Sequence, residues 1–182
     1  MRTSHKIALI AASITGLSAG CTSAHGSSEP QAGIYDLSVR GEVDRCSPTR
    51  ATGTMGAVGL ATAGDVLSFS APDPTRGSML QVSLSRPLGY HDESTVNLRG
   101  CSGATLDRSF TIVSSDESSI SVAYRERWIG IDTCGDAMRA IMPAAPATDC
   151  EAELTLDYAL TEACGETCEV GILATGPACL CD

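Results

Sequence analysis

From Gly33 onward the chain alternates apolar and polar positions in short runs, each broken by a cluster of turn residues. Tyr35, Leu37, Val39 and Val43 fall on one face, while Asp36, Ser38, Arg40, Glu42 and Asp44 fall on the other. That period of two is the signature of a half-buried strand. The same reading gives a Gly-rich strand over 52–62 with Met55, Val58 and Leu60 available to a core, and one over 66–71 carrying Leu67 and Phe69. A third, over 79–85, sets Leu80, Val82 and Leu84 against Gln81, Ser83 and Ser85. Four more follow: 95–99 with Val96 and Leu98 inward, 109–114 with Phe110 and Ile112, 119–131 with Ile120, Val122, Tyr124 and Trp128, and 152–161 with Ala152, Leu154, Leu156, Tyr158 and Leu160. Glu126 shares the face of Tyr124 and Trp128 by strict parity. This predicts a bulge, an exposed strand end or a polar spot in the interior.

Between the runs lie Ala63-Gly64-Asp65, Pro72-Asp73-Pro74, Pro87-Leu88-Gly89 and Ser115-Asp116-Glu117-Ser118, all with suitable turn chemistry. No segment with a period of 3.6 is long enough to serve as a crossover helix. The expectation is an all-β domain over 33–162, with about eight antiparallel strands in an up-and-down, lipocalin-like barrel, or alternatively a β-sandwich. A single helical turn is expected at Asp136–Arg139, stopped by Pro143 and Pro146.

After Thr161 the alternation ends and cysteines crowd in. Residues 163–182 form a tail too short to bury a core of its own, so cross-links must fix it. Apart from Cys21, the chain has eight cysteines: Cys46, Cys101, Cys134, Cys150, Cys164, Cys168, Cys179 and Cys181. An even set reads as four disulfides. Eight cysteines allow 105 connectivities; a Cys134–Cys150 bridge is the expected member, closing a loop worth about 3 kcal/mol in the chain-entropy model. The Cys-x3-Cys and Cys-x-Cys spacings of the tail lack the usual zinc-knuckle form. No metal or cofactor is expected.

The N-terminus carries an address. Arg2 and Lys6 precede an apolar run from Ile7 to Leu17, and Ser18-Ala19-Gly20 precede Cys21. A run of about eleven residues makes a helix of about 16 Å, half a bilayer core of about 30 Å. It suits a signal peptide and not a stable span. Leu17-Ser18-Ala19-Gly20-Cys21 resembles the lipobox of bacterial lipoproteins, with Leu17 one place further from the cysteine than the commonest form. The resemblance implies a signal peptide over 1–20 and a mature N-terminus at Cys21, acylated through a thioether-linked diacylglycerol with palmitate-like chains, since stable anchoring takes at least two chains. It implies a bacterial envelope location, and Thr22 in place of Asp implies the outer membrane. Residues 21–32 then read as a lipidated end and a flexible tether. The remainder resembles small cysteine-containing β lipoproteins of unassigned role in general plan only.

Charge narrows the partners. Loss of Arg2 and Lys6 takes the cations from 12 to 10 against 22 carboxylates, a formal charge of −12 for the mature chain. No basic stripe exists to displace counterions from phosphate, so no nucleic-acid partner is expected. His91, in Tyr90-His91-Asp92-Glu93, is read as part of a solvated turn. With so many carboxylates, chance pairs such as Asp116-Glu117 and Glu151/Glu153 do not define a glycosidase site.

The function expected is therefore non-catalytic, either binding or structural, with the membrane as partner through covalent lipid. Two rivals remain. In one, Tyr124, Trp128 and Tyr158 line a barrel cavity for a small apolar ligand, which calls for an enclosed space of roughly 300 Å³ or more. In the other, the stapled tail presents Glu169–Ala178 to a protein partner or protease, with Val170, Ile172 and Leu173 as an exposed apolar patch. An enzyme would need His91 or carboxylates to converge in a concave site.

Overall fold

The computed structural model describes residues 29–86, 89–165 and 168–181. The expected signal peptide, Cys21 and most of the expected tether lie outside them. Eight strands form the body: β1 (Gly33–Asp44), β2 (Gly53–Ala63), β3 (Val66–Pro72), β4 (Met79–Ser85), β5 (His91–Asn97), β6 (Thr105–Ser115), β7 (Ser119–Ile129) and β8 (Cys150–Ala163). Every pairing is antiparallel, in the order β4-β3-β2-β1-β8-β7-β6-β5. This is an up-and-down barrel with β8 returned to β1, nearly closed, and with one seam between β4 and β5.

Tyr90 stitches one end of that seam. Its N–H donates to Ser85 O at the end of β4 (2.9 Å), and its carbonyl accepts from Ile112 N on β6 (3.2 Å). The residue has a φ of 52°, in the left-handed region that bulky side chains seldom adopt.

The inward faces are those the alternation marked. Tyr35, Leu37, Leu60, Leu84, Val122 and Leu156 are fully buried. Rings fill the middle: Phe69 meets Tyr158 edge-on at 5.3 Å, and Phe110 stacks on Tyr124 at 4.7 Å. Such residues contribute about 1.5–3 kcal/mol each when fully buried. A second, smaller cluster of Cys46, Leu98, Leu106, Trp128, Ile131 and Cys134 closes the barrel end at which β1 finishes and β8 begins. Here lie a 3-10 turn (Ile131–Thr133) and a six-residue helix, α1 (Asp136–Ile141).

The disulfides correct one expectation. Cys134 and Cys150 are not joined; Cys46 pairs with Cys150 and Cys101 with Cys134. The register explains the first bridge. Asp44 on β1 faces Ala152 on β8, and Arg45 N donates to Glu151 O at 3.0 Å, so Cys46 meets Cys150 across the same ladder. Cys101 and Cys134 form an isolated antiparallel bridge of their own. The nearest cysteine in sequence loses to the nearest across strands.

The tail is a hairpin of β9 (Cys168–Leu173) and β10 (Gly176–Cys181), stapled by Cys164–Cys179 and Cys168–Cys181. It lies against the outer face of β2, with Val170 and Pro177 nearest Gly59. A Cβ at Gly59 would stand 2.5 Å from Val170 Cγ1, so any larger residue there would require Val170 to move. Val170 is thereby partly covered, which removes it from the expected patch. Ile172, Leu173 and Leu180 stay exposed.

Candidate functional site

At the capped end, a carboxylate sits inside the barrel. Glu126 points inward from β7, between Tyr124 of the main cluster and Trp128 of the smaller one. Its side chain has no exposed surface. It accepts from the Tyr124 hydroxyl (2.6 Å), from Trp128 Nε1 (3.1 Å) and from Arg50 Nε. Of the three readings that parity left open for Glu126, the polar interior is the one realised. Burial, with the Glu126 carboxylate next, pushes the Tyr124 phenol well above its ordinary pKa. Tyr124 therefore stays a neutral donor to the carboxylate.

Arg50 is the residue that the sequence did not reveal. It belongs to the β1–β2 connection, carries no periodic signal and lies 76 positions from its partner. Asp44, at the end of β1, fixes this connection by accepting from Cys46 N (2.9 Å) and Arg50 N. The guanidinium then reaches inward over the Trp128 ring (5.7 Å to its centroid). Nη1 donates to Ala144 O at 2.9 Å. Nη2 is buried and has no partner among the described residues. A charged donor left in this state costs at least about 1–3 kcal/mol.

Beside this pair lies a cavity of about 250 Å³. Tyr124, Glu126 and Leu154 line it from β7 and β8, Met55 from β2, Pro72 from the end of β3, and Pro48 and Pro74 from the connections around it; Arg50 forms part of the wall. Ala144 straps the wall together, since its N–H donates to Thr75 O (3.2 Å) while its carbonyl holds Arg50. The cavity is smaller than the 300 Å³ expected of an enclosed ligand chamber. Its limit is the aromatic filling of the barrel. Tyr124 lines it, but Trp128 lies behind Arg50, and Tyr158 is spent on the core, its hydroxyl donating to Ser70 O at 2.9 Å. Neither of these two lines the cavity.

A second hollow, about 410 Å³ but shallow and polar, runs over the outer face of β5 to β8. It carries a charge ladder set by register: Glu93, Ser109, Arg125 and Glu153 in one row, Asp107, Arg127 and Glu151 in the next. Arg125 meets Glu153 at 3.3 Å and Arg45 meets Glu151 at 2.5 Å. His91 lies at its rim as the first residue of β5, not in a turn. Its Nδ1 is 2.7 Å from Thr111 Oγ1, and its Nε2 is 3.9 Å from Glu93. The carboxylates Glu151 and Glu153 are engaged by arginines, and such exposed pairs contribute about 0–1 kcal/mol each.

All eight cysteines beyond Cys21 are disulfide-bonded. The tail thiols are thus consumed and present no thiolates to a metal. The chain matches no protein-family model, no curated protein and no solved structure.

Proposed function

We propose that this chain is an exported, lipid-anchored binding protein of a bacterial envelope, working without a catalytic step. The observation that carries this reading is the thiol count. Four disulfides consume eight of nine cysteines, and disulfides persist in oxidising compartments. The one cysteine left over, Cys21, stands where the resemblance to a lipobox places the acylated residue. Expression of the full chain in a Gram-negative host, with mass measurement of the membrane-extracted protein, tests it. The expected product begins at Cys21, carries diacylglycerol and acyl mass, and moves to the soluble fraction in Cys21→Ser. An unmodified Cys21 in the mature protein overturns it.

Within that reading, the cavity beside Arg50 supports binding of a small molecule rather than a purely structural role. At about 250 Å³ it falls just below the roughly 300–1,000 Å³ of drug-sized sites. A fragment-sized ligand fits, and a lipid with long acyl chains does not.

A further inference from the structure

The two free edges of the barrel meet at the seam, and their unpaired backbone groups can be named. Along an antiparallel strand, successive residues turn their N–H and C=O groups alternately to one side and the other. Ile112 N donates to Tyr90 O and Leu98 N to Ala104 O, at either end of β5. The even-numbered residues of β5 therefore bond β6, and Glu93, Thr95 and Asn97 turn their backbone groups to the seam. Beside β4, Asp73 N donates to Ser78 O and Arg86 N to Asp65 O. By the same count Met79, Gln81 and Ser83 face the seam from that side. Among the described residues only the bond from Tyr90 N to Ser85 O joins the two edges. Edges of this kind are templates for a further strand.

The inner face of β5 shows that the wall is open here. Asp92, Ser94 and Val96 share that face, opposite Phe110, Arg108 and Leu106 on β6. Phe110 and Leu106 are buried, yet Asp92 and Val96 are exposed and Ser94 is half-buried. Arg108 lies between Leu106 and Phe110 in the alternation and opposite Glu126, so it too points inward. Its Nε donates to Ser94 Oγ at 3.1 Å. Among the described residues Arg108 forms no ion pair. Its two Nη atoms have no partner there either, and they keep solvent contact, unlike the buried Nη2 of Arg50. A solvent-accessible cation without a counter-charge thus lies over the inner face of the edge strand.

We propose that the seam is a strand-addition site: one extended segment of a partner protein pairs along β5 and directs an Asp or Glu carboxylate inward, at the level of Ser94, to Arg108. This goes beyond the small-ligand reading and does not depend on it. The backbone ladder supplies affinity whatever the sequence, and the side chains met on alternate positions supply specificity. Charges on an edge strand ordinarily keep stray strands away. Asp92 and Arg108 do so for any segment without a matching charge. Hydrogen bonds from a guanidinium to a carboxylate are short, often bidentate and stronger than neutral ones, so glutamate at this level is favoured over an apolar residue, and lysine is repelled. The β4 edge of a second copy would bring Leu80, Val82 and Leu84 on its inward face and no carboxylate, which makes a different protein the occupant.

Three synthetic seven-residue peptides test the site. Each alternates threonine and valine, and they differ only in the central residue of the valine face, which is glutamate, lysine or valine. The readout is amide hydrogen exchange by NMR in the purified, oxidised full chain. The glutamate peptide is expected to slow exchange at Glu93, Thr95 and Asn97 and to bind about tenfold more tightly than the other two, a difference of about 1.4 kcal/mol. Arg108→Gln is expected to erase that preference while the same amides remain protected, and Arg108→Lys, which keeps the charge, to retain most of it. No protection of these amides by any peptide up to millimolar concentration overturns strand addition. Equal binding of the three peptides, or a preference that survives in Arg108→Gln, overturns the acidic specificity. Concentration-dependent dimerisation that protects the same amides without peptide makes a second copy the occupant and overturns the assignment to another protein.

Discussion

Replacing Glu126 by Gln tests whether the buried pair organises the capped end. The substitution keeps shape and one acceptor oxygen but removes the charge that Arg50 faces. Glu126 has no exposed side-chain surface and Arg50 only 9 %, so water cannot screen what remains. Breaking such a pair by removing one partner costs about 3–5 kcal/mol. For a domain of this size that lowers the Tm by roughly 6–20 °C, at 2–4 °C per kcal/mol. The companion variant is Arg50→Met with Glu126→Gln. It removes both charges while the amide oxygen still accepts from Trp128 Nε1, and replacing a whole buried pair is often near neutral. It should recover all but about 1–2 kcal/mol. Urea denaturation with the disulfides intact, followed by Trp128 fluorescence, gives both values, because Trp128 is the only tryptophan and touches the pair. A Glu126→Gln loss below about 1 kcal/mol, or a double variant no better than the single one, would refute the argument.

Three further outcomes are expected. Gly59→Val should drive Val170 off β2 and release the hairpin, seen as faster amide exchange in β9 and β10, with barrel melting changed little; unchanged exchange would contradict the close approach. Removing the Cys46–Cys150 bridge by paired serines should destabilise the barrel by up to about 4–5 kcal/mol, since it closes a loop of 104 residues. Removing Cys168–Cys181 should loosen only the hairpin, and equal effects on the barrel midpoint would argue against this division. Asp157 is held below the usual carboxylate range, first by its hydrogen bond from Arg40, and Asp149 by the Gly130 and Ile131 N–H groups. A lowered folded pKa contributes stability above the unfolded value near 3.9 that is lost as pH falls through the folded pKa. Stability should therefore fall below about pH 4, and Asp157→Asn should flatten that limb in a pH series of denaturation midpoints.

Most of the barrel was legible because one face of each strand is buried, and burial writes a period of two into the residues. β5 was the exception. His91-Asp92-Glu93-Ser94-Thr95 shows no alternation because this edge strand meets solvent along almost its whole length, and only Val96 and Leu98 suggested it. Val96 proves half exposed, while Leu98 is buried just beyond the strand. The site was half visible. Glu126 announced itself as a charge on an apolar face, but nothing local marks Arg50, whose role comes from two strands and a connection meeting in space. Disulfide pairing failed for the same reason: chain proximity favours Cys134–Cys150, whereas sheet register brings Cys46 to Cys150.

The strand directions set the hairpin and the cavity at opposite ends of the barrel. β1 leaves the tether at Gly33 and ends at Asp44, so the 48–51 connection, the β3–β4 loop and the cavity between them stand a full strand length away, about 35 Å at the usual rise. The hairpin is at the other pole, with Cys164 N donating to Ala32 O at 2.9 Å. If the chain is anchored through Cys21 as proposed, the hairpin pole is the one joined to the tether and the cavity lies at the pole farthest from it along the chain.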